Sequence, residues 1–204
     1  MERFTRMVVK SIIIVMLSAL LVSCDNTGHN VRSQLSTPMW TNDPPYRLEG
    51  SSHEGISSSN DDFEMTVVKS LGRYAIPLQP MAAVVDINIL EYDNMSGTDF
   101  GDDIHSVILI NYAIEAEYDG YIIYPEEETE ISINGSDFTV EGSIHDGSNP
   151  LSGLYKNREV RLGNVLFIST LSPDEITELS IKIPRVYDSN GNQVNTGNIL
   201  EISE

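Results

Sequence analysis

The residues of this 204-residue chain best suited to chemistry are oxygen donors rather than nucleophiles. Asp188-x-Asn190-x-Asn192 sets oxygen ligands at alternate positions, as calcium loops do, and Asp99-Phe100-Gly101-Asp102-Asp103 is a comparable cluster. In the first, Gly191 falls at the fourth place rather than the sixth, and Ile199 stands where a bidentate glutamate is needed. Both read as hairpin turns, and a calcium-responsive module is kept as an alternative. His29, His53, His105 and His145 lie far apart without a His-x-x-x-His spacing, so no metal site is expected. There is no Gly-x-Ser-x-Gly elbow and no phosphate-cradling glycine loop, so no catalytic residue and no cofactor is expected. With 31 acidic residues, some carboxylate pair will reach glycosidase spacing by chance, so acids alone are no evidence of catalysis. A hydrolase using paired carboxylates is therefore the second alternative. Tyr118, Tyr121 and Tyr124 recur every third residue around Gly120 and are the candidate surface contacts, each offering area and a hydroxyl. Glu126-Glu127-Glu128 with Glu130 reads as a solvated turn that guards a strand edge.

The first 24 residues decide where such chemistry would operate. Arg3, Arg6 and Lys10 make a positive start, Ser11 to Val22 is almost unbroken apolar sequence, and small Ser23 precedes the single cysteine. Charge, apolar core and small-residue cut site are the grammar of a secretory signal. Twelve residues are too few for an uncleaved span, which needs about 20. The ending Leu21-Val22-Ser23-Cys24 resembles the lipobox of bacterial lipoproteins. That resemblance implies peptidase recognition of Leu21, Val22 and Ser23, cleavage before Cys24, and lipid on Cys24. It implies a protein of the cell membrane, held by a lipid anchor on the extracytoplasmic side.

Composition agrees with an outside address. An acylated Cys24 leaves no thiol for a disulfide or a nucleophile, so an ordinary hydrophobic core must stabilise the domain. Without residues 1–23, nine basic and 30 acidic residues remain, a net charge of −21. Such a surface repels nucleic acid and anionic headgroups, so nucleic acid is excluded as a partner and the membrane is reached through the lipid. Residues 24–62 read as a disordered tether: Ser, Asn, Gly and Asp dominate, and Pro38, Pro44 and Pro45 interrupt any helix. A flexible coil of that length spans roughly 30–37 Å. Met39-Trp40 and Pro44-Pro45-Tyr46 are the exception, and docking of this piece back on the domain is the favoured reading.

From Phe63 to the end, residues 63–204, the pattern turns to period two. Met65 to Lys69, Ala82 to Tyr92 and Ser106 to Tyr118 read as strands, with an irregular link through Gly72, Pro77 and Pro80. Apolar residues on both faces of the early part of Ser106 to Tyr118 predict a central, doubly buried strand. Tyr121 to Tyr124 is a short strand ended by Pro125, and Asn134-Gly135 between alternating residues predicts a hairpin. Asn149 to Asn157 reads as turns. Val165 to Leu171, Leu179 to Tyr187 and Ile199 to Ile202 read as further strands, and Ser172-Pro173-Asp174-Glu175 as a helical turn with a capping box. Thr129-Glu130-Ile131-Ser132-Ile133 echoes Thr177-Glu178-Leu179-Ser180-Ile181. Seven to nine short strands with no long amphipathic helix predict an all-β, antiparallel β-sandwich.

Val107 through Tyr121-Ile122-Ile123-Tyr124-Pro125, Asn134-Gly135 and Gly163-Asn164-Val165-Leu166-Phe167 are similar to immunoglobulin-like domains of Gram-positive lipoproteins. The resemblance implies an immunoglobulin-like sandwich and an envelope address, and brings no activity or functional residue. The reading that results is a lipid-anchored binding or scaffolding module, not an enzyme, whose partner is an envelope protein or glycan.

Overall fold

The computed structural model describes residues 45–48, 57–59, 64–93, 104–138, 142–145 and 151–203. Alternating apolar sequence builds three long strands: β3 (Glu64–Leu78), β4 (Met81–Asp93) and β5 (Ser106–Ala116). Two short strands precede them, β1 (Tyr46–Leu48) and β2 (Ser57–Ser59). After β5 come β6 (Tyr121–Ile123), a one-turn helix α1 (Pro125–Glu128), β7 (Glu130–Ile133) and β8 (Ser136–Phe138). β9 (Gly142–His145), β10 (Gly153–Tyr155) and β11 (Val160–Ser169) follow. A 3-10 turn at Pro173–Glu175 leads to β12 (Glu178–Lys182), β13 (Val186–Asp188), β14 (Gln193–Asn195) and β15 (Ile199–Ser203).

Among the described residues all pairings are antiparallel and make three sheets. The large sheet runs β1-β3-β4-β5-β11-β9, with β2 also on β3; the small sheets run β10-β6-β13-β14 and β15-β12-β7-β8. One face of the large sheet shares a single core with both small sheets. Val85, Ile87, Ile108, Ile110, Val165 and Phe167 meet Ile123, Tyr155 and Val186 from one small sheet and Ile131, Ile133, Leu179 and Ile181 from the other. The expected all-β sandwich is the architecture observed. β5 lies between β4 and β11 and is buried on both faces, as its doubly apolar sequence requires.

Several boundaries differ from the expectation, each for a local reason. The link through Gly72 and Pro77 is strand, because two irregularities of register, at 67/69 and 70/72, absorb the awkward residues. Pro77 sits opposite Ala82 near the end of that strand, where no further ladder donor is required of it. Leu179 to Tyr187 is two strands, divided at Pro184, which cannot donate to a ladder; β12 and β13 then join different sheets. The turn-rich stretch 149–157 contains β10. Within the stretch read as tether, 46–48 and 57–59 pair with β3, so that part of it belongs to the sheet, as docking back of Tyr46 required.

Two local signals are realised in full. Asn134 and Gly135 both have positive φ, 49° and 77°, as a two-residue hairpin between β7 and β8 demands. The Ser172 hydroxyl and backbone N–H both donate to Glu175 Oε2 at 2.8 Å, closing the capping box. The echoed segments around Ile131 and Leu179 are direct neighbours, with Leu179 opposite Ile133 and Ile181 opposite Ile131.

Candidate functional site

Strand alternation sorts the three candidate tyrosines. In β6, Tyr121 and Ile123 turn toward the core, where Ile123 is buried and Tyr121 packs against it, while Ile122 turns outward. Tyr118 is 56% exposed beyond the end of β5, its hydroxyl bonded to Glu117, which pushes its ionisation up. Tyr124 lies past β6 and meets the ring of Tyr187, with centroids 5.9 Å apart and planes tilted by 54°. The structure therefore does not bring the three together. It puts Tyr124 with a residue that the sequence did not single out.

Tyr187 belongs to a row. Leu154 of β10 is opposite Ile122 of β6, and Ile122 is opposite Tyr187 of β13, so all three share the outward face of the small sheet. Leu154 is 55% exposed. Leu154, Ile122, Tyr187 and Tyr124 thus form an aromatic and aliphatic surface. No local signal marks Leu154 or Tyr187 for it, since only register makes them neighbours.

The elements that hold this surface are tied by side chains expected to be solvated. Pro125 starts α1, and Tyr124 O accepts from the N–H groups of Glu127 and Glu128 at 3.2 and 2.8 Å. Glu126 Oε1 accepts from Leu151 N at 2.8 Å, and the Ser152 hydroxyl donates to both Glu126 and Glu127. Glu128 accepts from Arg185 N at 3.1 Å and from the Tyr187 hydroxyl at 2.5 Å. The acidic run is therefore a staple that binds the approaches to β10 and β13 to the helix after β6, and the solvated-turn reading is corrected. Glu130 does not guard an edge either: β7 is an inner strand, and Glu130 pairs with Lys182 of neighbouring β12 at 2.6 Å. Bonding to the Glu128 carboxylate pushes the Tyr187 phenol above its ordinary range. The ring, not the hydroxyl, is thus what Tyr187 offers to a partner.

Two buried groups anchor the arrangement to the large sheet. The hydroxyls of Tyr112 and Thr129 bond at 3.0 Å inside the core, fixing the junction of α1 and β7. Arg161 of β11 lies 4.1 Å over the Tyr155 ring and donates to Ser152 O at 3.1 Å and Leu154 O at 2.6 Å. Burial pushes the neighbouring Glu159 up, yet the Arg161 guanidinium and the Lys156 N–H outweigh it and leave the carboxyl below its usual range.

The other candidates resolve as turn chemistry or fall outside the described residues. Asp188 Oδ1 accepts from Asn190 N and Asn192 N at 2.9 and 2.8 Å, and its Oδ2 from the Asn192 amide at 2.9 Å. These oxygens close a turn. Among the described residues no group of three or more His, Cys, Asp or Glu is placed to hold a metal. His105 is exposed at a strand end, where its backbone N–H donates to Ser169 O. Leu21, Val22, Ser23, Cys24, His29, His53, Met39-Trp40 and the Asp99–Asp103 loop lie outside the described residues.

Asp188 and Glu175 make an acid-limb prediction. The Asn192 amide, then the Asn192 N–H, hold Asp188 below the usual aspartate range, and the Ser172 N–H and hydroxyl do the same for Glu175. A carboxyl depressed in the folded state adds stability that is present above its unfolded value and lost as pH falls through the folded one. Both turns should hold through the ordinary carboxylate range of about 4 and loosen below it. NMR titration of the two side chains checks this, and an ordinary midpoint for Asp188 would refute it.

Fold and face together define an all-β layered sandwich with an exposed aromatic row. No family model matches the chain, and no curated protein matches it. A solved Bacillus subtilis structure described as a candidate lipoprotein, YcdA, is similar to 76% of the chain at 12% identity with a TM-score of 0.37. The chain spans 39% of that structure, and a likeness of this degree carries no argument about function.

Proposed function

We propose that the chain is a lipid-anchored binding module on the extracytoplasmic side of a bacterial cell membrane. On this reading it holds an envelope protein through Leu154, Ile122, Tyr124 and Tyr187. The observation that carries the contact reading is the outward row Leu154–Ile122–Tyr187, extended by Tyr124 and backed by glutamates already committed as acceptors. A rigid aromatic surface loses little side-chain entropy on binding and suits recognition. Aliphatic Leu154 and Ile122 within the row favour a protein over a glycan, and the net charge of −21 after cleavage favours a basic partner. Glu126 and Glu128 hold structural N–H and O–H donors, which leaves them acting as fasteners rather than as an acid and base. The address rests on the charge, apolar run and Leu21-Val22-Ser23-Cys24 ending, and the immunoglobulin-like resemblance supports the same address.

One experiment on intact cells addresses both parts. Cys24→Ala should move the protein from the detergent phase to the medium. In the anchored chain, Tyr124→Ser with Leu154→Ser should weaken capture of a crosslinked partner about tenfold or more while the melting temperature hardly moves. Retention of Cys24→Ala in the membrane refutes the address. Undiminished capture by the double variant, or recovery of glycan alone, refutes the protein-contact reading.

A further inference from the structure

An edge strand presents unpaired main-chain groups that invite another chain unless something blunts them. In the β10-β6-β13-β14 sheet both edges are blunted. The Arg161 guanidinium donates to Ser152 O and Leu154 O and so occupies the outer side of β10. At the other end, β14 is three residues long and meets β13 through a register irregularity. β15 carries no such device. It is the outer strand of the β15-β12-β7-β8 sheet, five residues in unbroken register with β12, without proline or lysine. The Ile183 N–H donates to Asn198 O at 2.7 Å just beyond the Lys182–Ile199 pair, so by alternation Leu200 and Ile202 also turn their N–H and C=O groups toward β12. Those of Ile199, Glu201 and Ser203 face the other way, and among the described residues no strand takes them.

We propose that this edge takes an extended, basic segment of a partner protein as one more antiparallel strand. The side chains beside the open groups specify that chemistry. Leu200 is buried and Ile202 packs on the core, whereas Ile199, Glu201 and Ser203 are exposed, Ile199 at 62%. Ile199 offers an incoming strand an aliphatic neighbour, and Glu201 offers a carboxylate two residues on. Glu178 of β12 is opposite Ser203 and so lies diagonal to Glu201 on the same outward face. Lys182 of β12 is already paired with Glu130, and among the described residues neither Glu178 nor Glu201 has an ion-pair partner. A segment with Lys or Arg opposite Glu201 and Ser203, and an aliphatic residue opposite Ile199, satisfies main chain and side chains together. A second copy does not. Two-fold pairing centred on Glu201, the middle of the strand, sets that carboxylate against itself while joining two strongly acidic chains. The edge belongs to a different sheet from Leu154, Ile122 and Tyr187, so this contact stands apart from the tyrosine row.

The full chain carrying Cys24→Ala is purified from whichever fraction holds it, which separates this result from the fate of the anchor, and is followed by amide hydrogen exchange. Alone, the N–H groups of Ile199, Glu201 and Ser203 should exchange fast and those of Leu200 and Ile202 slowly. The probe is the end-blocked peptide Lys-Val-Lys-Thr-Val, which sets its lysines opposite Ser203 and Glu201 and its last valine opposite Ile199. Its counterpart carries Glu in place of both Lys. At saturation the lysine peptide should slow exchange of the three outward amides by about tenfold or more, and the glutamate peptide should not. Glu201→Lys should weaken the lysine peptide about fivefold while the melting temperature hardly moves, and Tyr124→Ser with Leu154→Ser should leave its binding unchanged. No protection by the lysine peptide, equal protection by both peptides, or undiminished binding to Glu201→Lys overturns the proposal. Loss of binding in the Tyr124→Ser, Leu154→Ser variant puts the peptide on the tyrosine row and overturns it too. So does protection that grows with protein concentration in the absence of peptide, which makes a second copy the occupant.

Discussion

Phe167→Ala is expected to cost about 3–5 kcal/mol of unfolding free energy, the usual range for emptying a buried aromatic site. Phe167 is fully buried on the inward face of β11, opposite Ile108, which is itself opposite Ile89 on β4. That row meets residues of both small sheets in one core, so no single neighbour can collapse into the space. A domain of this kind is stable by about 5–15 kcal/mol, so the variant keeps only part of its margin. Urea unfolding of Phe167→Ala beside Leu162→Ala measures the effect; Leu162 is on the same strand and 46% exposed. Equal losses in the two variants would contradict the core described above.

Gly163→Ala is expected to destabilise by about 1–3 kcal/mol through overpacking. A Cβ at Gly163 would stand 2.8 Å from Leu151 Cγ and within 3.2 Å of both its methyls. Leu151 cannot easily withdraw. It is fully buried, its N–H is held by Glu126 at 2.8 Å, and its carbonyl accepts from the Tyr155 hydroxyl at 2.8 Å. Pairing Gly163→Ala with Leu151→Ala should therefore cost less than the sum of the two single changes, the added methyl filling part of the vacated space. A double-mutant cycle showing simple additivity would rule this contact out. The site matters beyond stability, because Leu151 and Ser152 lead into β10 and place Leu154.

Much of the fold was legible because it is written in neighbours along the chain. Asn134-Gly135 announces its hairpin, since positive φ at two successive positions is a demand that few residues meet. Ser172 and Glu175 announce their turn in the same way, as all the partners lie within four residues. The doubly apolar start of β5 announced its central place. The misplaced boundaries share a cause: Pro77, Pro184 and the prolines before Tyr46 signal a break, and only the sheet shows whether the backbone continues, switches sheet or docks.

The candidate site was half legible. Tyr124 was singled out, but the period of three joined it to Tyr118 and Tyr121, whereas a strand of period two sends successive side chains to opposite faces. Glu126 and Glu128 resembled a solvated run because their partners are remote, Leu151 lying 25 residues on and Tyr187 lying 59 residues on.

From the sequence alone came the period-two core, the turns, the expectation of a sandwich and the charge of the chain, all properties set by covalent order and local hydrogen-bonding demand. The tertiary structure alone decided that β7 and β12 are neighbours, that Leu154, Ile122 and Tyr187 form a row, and that an acidic run fastens strands. Those facts depend on register between distant segments, and register is chosen by burying the whole sheet at once.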